Sequence, residues 1–236
     1  MLKMTAINEA IDKIQAARNI TFLTGAGVST PSHIPDYRSL KGIYAGIDQP
    51  EYLLSHDCLL QEPQKFYQFI KQLYHPSARP NIIHEKIAAL AKTKPVWVVS
   101  QNIDGLHDQA GSPNVVNFHG SLYDVYCRKC GQNIAWQDYL ISDTHQNCGG
   151  QLRSDIVLYG EGFTDDTITC AIKAVEQADL IVIVGTSFQV APFNQLLYYH
   201  KPQADIMAIN QTALAIQEPF TMVQCAAEDL FREIKI

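Results

Sequence analysis

The chain has no apolar run that approaches the roughly 20 residues a membrane-spanning helix requires. It has no surplus of positive charge either: 18 Lys and Arg stand against 24 Asp and Glu, a formal net charge of −6. That balance argues against non-specific nucleic-acid binding, so no direct nucleic-acid partner is expected. Cysteine is scarce, with six in 236 residues, and Cys127, Cys130 and Cys148 crowd into one short segment. Such usage is too sparse and too clustered for a disulfide framework; in a reducing compartment it more often binds metal. The N-terminal stretch carries Asn8, Glu9 and Asp12 where a secretory leader needs an uninterrupted apolar run. A cytoplasmic protein with no membrane partner is expected. Internal repeats and low-complexity tracts are also missing. A hydrophobic content of 47% and a charged content of 18% suit one large globular domain, or a large one with a small insert.

What is present is organised around residues 20–39, ITFLTGAGVSTPSHIPDYRS. Ile20-Thr21-Phe22-Leu23 predicts a buried strand, and Gly25-Ala26-Gly27 follows at once. Two glycines one residue apart let the backbone turn tightly and approach a ligand closely. The N–H groups that follow can face an anion such as a pyrophosphate. The full dinucleotide fingerprint has a third glycine where Thr30 stands, so an ordinary strand-turn-helix corner stays open as an alternative. Pro31 and Pro35 cannot continue a regular helix. They predict a braced loop carrying Asp36, Tyr37 and Arg38 over whatever the glycines hold.

Apolar spacing predicts a helix over 5–17 (Ile7, Ala10, Ile11, Ile14) with Thr5 as N-cap. Residues 31–80 show short helices punctuated by Pro50, Pro63, Pro76 and Pro80, and no strand. Further helices are expected at 82–90, 167–178 and 228–234. Strands are expected at 96–99, 114–118, 156–159, 180–184, 205–209 and 221–225. Alternation of this kind implies an α/β sheet, parallel, with helices on both faces. Ligands in such sheets sit beyond the carboxyl ends of the strands. Five strand ends deliver small or polar groups there: Gly25-Ala26-Gly27, Gln101-Asn102-Ile103-Asp104, His119-Gly120, Gly185-Thr186-Ser187 and Asn210. Five together favour a dinucleotide over chance.

Cys127-x-x-Cys130 is followed, at ribbon-type spacing, by His145-x-x-Cys148, with Gly131 and Gly149-Gly150 as turns. Three thiolates and one imidazole form a closed tetrahedral set, structural rather than catalytic, for Zn²⁺. Asp143 is the weaker choice for the fourth ligand. Cys58, Cys170 and Cys225 lack partners and are expected in the core.

Assembled, GAGVST, IPDYR, QNIDGLH, FHGSLYDVYC, the C-x-x-C pair, IVLYGE and VGTS make the sequence resemble a sirtuin, a member of the NAD-dependent protein lysine deacylases. The resemblance runs from about Ile7 to the end. It implies a Rossmann-like NAD-binding domain (1–30, 81–120, 156–236) and a small domain from two inserts. These are a cofactor-binding loop with a helical module (31–80) and a zinc-binding module (121–155). Gly25, Ala26, Gly27, Thr30 and the loop through Asp36, Tyr37 and Arg38 would embrace the NAD pyrophosphate and nicotinamide ribose. Gln101, Asn102, Ile103 and Asp104 would form the nicotinamide pocket. Gly185, Thr186 and Ser187 would take phosphate and ribose hydroxyls, Asn210 the adenine ribose, and Ala227 the adenine. An acetyl-lysine peptide would add as a strand between Val157-Leu158-Tyr159-Gly160-Glu161 and Phe188-Gln189-Val190.

Within Phe118-His119-Gly120-Ser121, His119 matches the family's catalytic turn, with Asn102 as its companion. An isolated histidine at a strand end would more often be structural. The implied reaction moves the acetyl group from lysine to ADP-ribose, releasing nicotinamide. Mono-ADP-ribosyl transfer is the alternative, and a non-catalytic NAD sensor a third. Two positions depart from the family: Tyr37 stands where Phe is usual, and His145 replaces a cysteine; separately, Ile70 stands three residues after Tyr67. Succinyl- and malonyl-selective members place an arginine there, so acetyl preference is expected.

Overall fold

A computed structural model describes residues 2–35 and 50–236, with side chains for 5–35 and 51–236. The larger sheet has six parallel strands: β1 (Ile20–Thr24), β2 (Val96–Ser100), β3 (Val115–Asn117), β7 (Leu180–Val184), β8 (Asp205–Asn210) and β9 (Thr221–Gln224). Their order is β3-β2-β1-β7-β8-β9. The chain therefore builds outward from β1 in one direction, then returns and builds outward from β7 in the other. The reversal between β1 and β7 opens a crevice at their carboxyl ends, where doubly wound sheets bind ligands.

The strand sequences follow from burial on both faces. In β7, Leu180, Val182 and Val184 join one core, and Ile181 and Ile183 join the other. Period-two alternation under two covered faces yields a continuous apolar run. The first core is closed by α1 (Leu2–Ala16), α5 (Ile82–Leu90) and α9 (Ala227–Glu233), through Ile7, Ile14, Ile83, Ile87 and Phe231. The second is closed by α8 (Asp165–Gln177) and a 3-10 helix, Phe193–Tyr199, through Ala174, Val175, Phe193 and Leu197.

A second sheet is antiparallel: β4 (Gly120–Cys127) lies between β5 (Asn133–Ile134) and β6 (Leu152–Ile156). It shares a third core with α2 (Pro50–Leu53), α3 (His56–Gln61), α4 (Pro63–Gln72) and α7 (Trp136–Ile141). Tyr74 Oη donates to Leu122 O at 2.5 Å, and Tyr67 Oη to Tyr139 O at 2.7 Å. The helical module and the cysteine-bearing sheet thus form one body.

Several expectations are corrected. Thr5 lies inside α1, which begins at Leu2. Residues 157–159 are not a strand: β6 ends at Ile156, and Tyr159 makes only an isolated bridge to Ser55. Cys170 is exposed, whereas Cys58 and Cys225 are buried as expected. The four-residue helix α6 (Leu106–Gln109) went unanticipated.

Candidate active site

Gln101, the first residue past β2, joins three strand ends. Its N–H donates to Thr24 O at 2.9 Å, and its Oε1 accepts from Thr186 Oγ1 at 2.7 Å. Its carbonyl meets His119 Nδ1 at 2.9 Å. A carbonyl only accepts, so Nδ1 carries the proton and a neutral His119 ring keeps its lone pair on Nε2. The half-buried ring lies 5.5 Å from Phe118 and 5.8 Å from Phe163, centroid to centroid. Gly120 must follow it: φ is +79°, and an added Cβ would run into the Asp155 carbonyl. His119 therefore sits at the seam where the parallel sheet hands over to the antiparallel one.

Behind Gly25 runs a chain of polar groups. Asn102 Nδ2 donates to Gly25 O (3.2 Å) and Ser29 Oγ (2.9 Å), and Ser29 Oγ donates to Asp104 Oδ2 (2.6 Å). Asp104 Oδ1 accepts from Leu106 N at 2.9 Å. Burial pushes the Asp104 carboxyl above its ordinary range, although Ser29 and Leu106 pull the other way. Ile103 O accepts from Leu122 N at 2.9 Å, fastening this loop to β4.

Gly27 and Gly185 meet backbone to backbone: Gly27 N donates to Gly185 O at 2.8 Å. A Cβ on Gly27 would stand 2.7 Å from Gly185 Cα, closer than carbon atoms pack. Beside them is a cavity of about 220 Å³ lined by Gly27, Thr30, Pro31, Ile83, Gln211, Ala226, Ala227 and Glu228. It gathers Gly27, Thr30 and Ala227, which the sequence resemblance had assigned separately. Asn210 does not line it; its Nδ2 donates to Thr212 O and Oγ1 in its own loop. Ser187 is half-buried next to Thr186. Asp36, Tyr37 and Arg38 lie outside the described residues. Ser29, Gln211, Ala226 and Glu228 were not singled out from sequence. Ser29 alone had a signal, as a hydroxyl inside the glycine turn.

Beyond β6, Val157 N donates to His119 O at 3.0 Å. Tyr159 spends both backbone groups on the helical module: its N–H on Leu54 O and its carbonyl on His56 N, each at 2.9 Å. The strand edge expected at Val157–Glu161 is thus largely consumed, and the Glu161 carboxylate is bonded internally. Phe188 packs on Phe193 (5.8 Å), which packs on Phe118 (5.3 Å), carrying the Phe188–Val190 loop to the His119 turn.

Under the site lie two buried histidines with ring centroids 4.7 Å apart. His84 Nδ1 accepts from Asn81 N, and His107 Nε2 meets Thr24 Oγ1 at 3.1 Å. Burial drives His84 down to about 4, and drives His107 well below the ordinary imidazole value. Unfolded imidazoles titrate near 6.5, so the unfolded chain takes up protons that the folded chain refuses. Stability should be complete above pH 6.5 and fall by about 3 kcal/mol from His84 alone as pH drops to 4. Urea midpoints between pH 7.5 and pH 4.5 test this. The slope should shrink in His84→Asn, which does not titrate; an equal slope would contradict neutral burial.

Cys127, Cys130, His145 and Cys148 place their ligand atoms within 4.8 Å of one another. Cys127 Sγ stands 3.5 Å from Cys148 Sγ, and His145 Nδ1 3.4 and 3.2 Å from Cys130 and Cys148 Sγ. Ligands of a tetrahedral zinc stand about 3.5 Å apart, so three sulfurs and one nitrogen fit that ion. Gly150 completes the cradle, since a Cβ there would meet Cys127 Sγ at 2.5 Å. Asp143 is not in the set; its carboxylate accepts from Gln64 Nε2 at 2.7 Å. Among the described residues no helix is long and apolar enough to cross a membrane.

Comparison with known proteins follows the same lines. The Sir2 family pattern matches residues 25–192. A protein named NAD-dependent protein deacetylase from Enterococcus faecalis is 59% identical over 228 residues, covering 97% of this chain and 96% of that one. Its namesake from Listeria monocytogenes is 52% identical over 232 residues, covering 98% and 100%. A solved structure of Sir2 with a p53 peptide and NAD+ superposes with a TM-score of 0.84 at 29% identity, covering 97% of this chain and 96% of that one. Another, of Sir2 with EX-527, 2'-O-acetyl-ADP-ribose and deacetylated p53 peptide, gives 0.81 at 27%, covering 96% of each. A pattern that spans most of the chain, and relatives that share more than half its residues across nearly its full length, place this protein in the Sir2 family.

Proposed function

We propose that this chain is an NAD-dependent protein lysine deacetylase, transferring acetyl from lysine to ADP-ribose with release of nicotinamide. The observation that carries the proposal is the Gln101 junction. It sets the His119 ring, with its Nδ1–H held on Gln101 O, at the same sheet edge as the glycine turn and the Asn102–Ser29–Asp104 chain. Relatives named for this activity support it. Unpaired thiols gathered for a metal suit a reducing, cytoplasmic setting.

Bound NAD supplies an activated ribose carbon, with nicotinamide as its leaving group. Gly25, Ala26, Gly27, Thr30, Gly185, Thr186 and Ser187 would hold its phosphates and riboses, and the cavity beside Ala227 its adenosine end. Asp36, Tyr37 and Arg38 would close over it. Asn102, Ile103 and Asp104 would orient the carboxamide, Asp104 accepting from it. His119 Nε2 would take a proton from a ribose hydroxyl while Gln101 O holds Nδ1–H in place. The zinc site is structural: it ties Cys127 at the end of β4 to the 145–150 turn. We divide the chain into an NAD-binding body (1–30, 81–120, 156–236) and a small body (31–80 with 121–155), in keeping with the third core.

Main-chain groups of Gly160 and Gln189 have no partner within the described residues, and offer an acyl-lysine peptide its backbone bonds. Around His119 stand Phe118, Phe163 and, one ring further, Phe193. Tyr67 and Ile70 are both buried in the small-body core, with the Tyr67 hydroxyl spent on Tyr139 O. The aliphatic Ile70 side chain therefore offers a succinyl carboxylate no charge partner, the nearby Lys71 Nζ lies over the Tyr67 ring at 4.5 Å, and burying a carboxylate unpaired is costly. Mass spectrometry of acetyl- and succinyl-lysine peptides with NAD should show faster loss of acetyl; faster desuccinylation would overturn this preference.

A further inference from the structure

Glu161 is held from three directions. Its two oxygens receive Arg153 Nη1 at 2.7 Å and Nη2 at 3.1 Å, the bidentate geometry that makes such pairs strong. Oε1 also accepts from His56 Nδ1 at 3.0 Å, and Oε2 from Leu158 N at 3.0 Å. Arg153 belongs to β6, its side chain is 7% exposed, and its Nη2 bonds Ile156 O at 2.7 Å as well. His56 opens α3 in the helical module, and its backbone N–H donates to Tyr159 O. Its Cβ would lie 3.8 Å from a Cβ added to Gly160, which bends at φ +88°. Gly160 is thus fixed through both neighbours while its own N–H and carbonyl stay unspent among the described residues.

We propose that His56 and Arg153 are positioning residues for peptide recognition: through the Glu161 carboxylate they hold the Leu158–Glu161 bend in the form that presents Gly160 to the peptide backbone. The proposal rests on the deacetylase function above. It assigns Glu161 to the clamp rather than to the peptide. A bend bridged to Ser55 at Tyr159 and otherwise outside any sheet, once its carboxylate clamp is released, must be reordered each time a peptide binds, and that cost appears in peptide affinity. Chemistry at His119 and the NAD contacts are untouched. The helical module and the metal-bearing sheet therefore meet at one carboxylate, and each contributes to substrate affinity through it.

Two variants separate positioning from packing. His56→Leu keeps bulk and removes the donor; His56→Asn restores an amide N–H near the place of Nδ1. In His56→Leu, KM for an acetyl-lysine peptide should rise about tenfold, with kcat and KM for NAD within about twofold of wild type. His56→Asn should lie near wild type. Hydrogen exchange of the amides of 158–161, measured on the same proteins without substrate, should quicken in His56→Leu only. Unchanged peptide KM and exchange in His56→Leu would overturn the proposal, as would an equal loss in His56→Asn. If wild type fails to deacetylate, the deacetylase function falls; unchanged exchange in His56→Leu would then overturn the clamp, and faster exchange would support it.

Discussion

His119→Ala is expected to lower kcat for deacetylation by roughly 10²- to 10⁴-fold, the usual worth of a positioned general base. NAD affinity and melting temperature should barely move. The ring is only half-buried, and its hydrogen bond to Gln101 O ends at the open sheet edge. None of the bonds among Gly25, Ser29, Asn102 and Asp104 passes through it. His119→Asn sharpens the test, because its amide can still donate to the Gln101 carbonyl but offers no base. Both variants should be equally slow. Near-normal turnover in either would remove His119 from the chemistry, and recovery in His119→Asn alone would reduce it to a structural tie.

Removing the metal is expected to have the second largest effect. The four ligands join β4 to the 145–150 turn, and Cys127 is fully buried in the third core. Without the ion, three sulfurs and an imidazole within 4.8 Å lose their shared partner. A loss of about 3 kcal/mol would lower the melting temperature of a chain this size by about 6–12 °C. Damage should travel to the active site, because Gly120 pairs with Ile156 across β4 and β6, and Val157 N bonds His119 O. Elemental analysis should find one zinc per chain in wild type and His145→Cys, and much less in Cys130→Ala and His145→Ala. Asp143→Ala should keep its zinc. An unchanged melting curve after chelation would contradict a structural role.

The parallel sheet was legible because its strands are covered on both faces. Leu180–Val184 and Val96–Val99 read as unbroken apolar runs, and their ends deliver the polar groups that form the site. The antiparallel sheet was not legible. Its register jumps between Ser121 and Val125, which breaks the alternation, and one end of β4 is a cysteine ordered by ligand geometry. Residues 156–159 read as a strand because Ile156, Val157 and Leu158 are apolar. Their backbone groups are claimed instead by His119, Leu54 and the Glu161 carboxylate. Such partners lie far off in sequence or arise from a side chain, and a local pattern cannot register either. Ser29 illustrates the same limit. Its importance comes from Asp104, 75 residues away, and only folding brings the two within 2.6 Å. The His145 ligand, by contrast, was readable from spacing alone, since the C-x-x-C and H-x-x-C pairs are each local.

In the proposed reaction, deacetylation is coupled to breakage of the nicotinamide–ribose bond at the His119 edge. The most direct measurement counts products from purified protein, an acetyl-lysine peptide and NAD labelled in the ADP-ribose part. No lysine should be freed without NAD. With it, nicotinamide, free lysine and O-acetyl-ADP-ribose should appear in equal amounts. Deacetylation in the absence of NAD, or label ending on protein instead of in O-acetyl-ADP-ribose, would contradict that coupling.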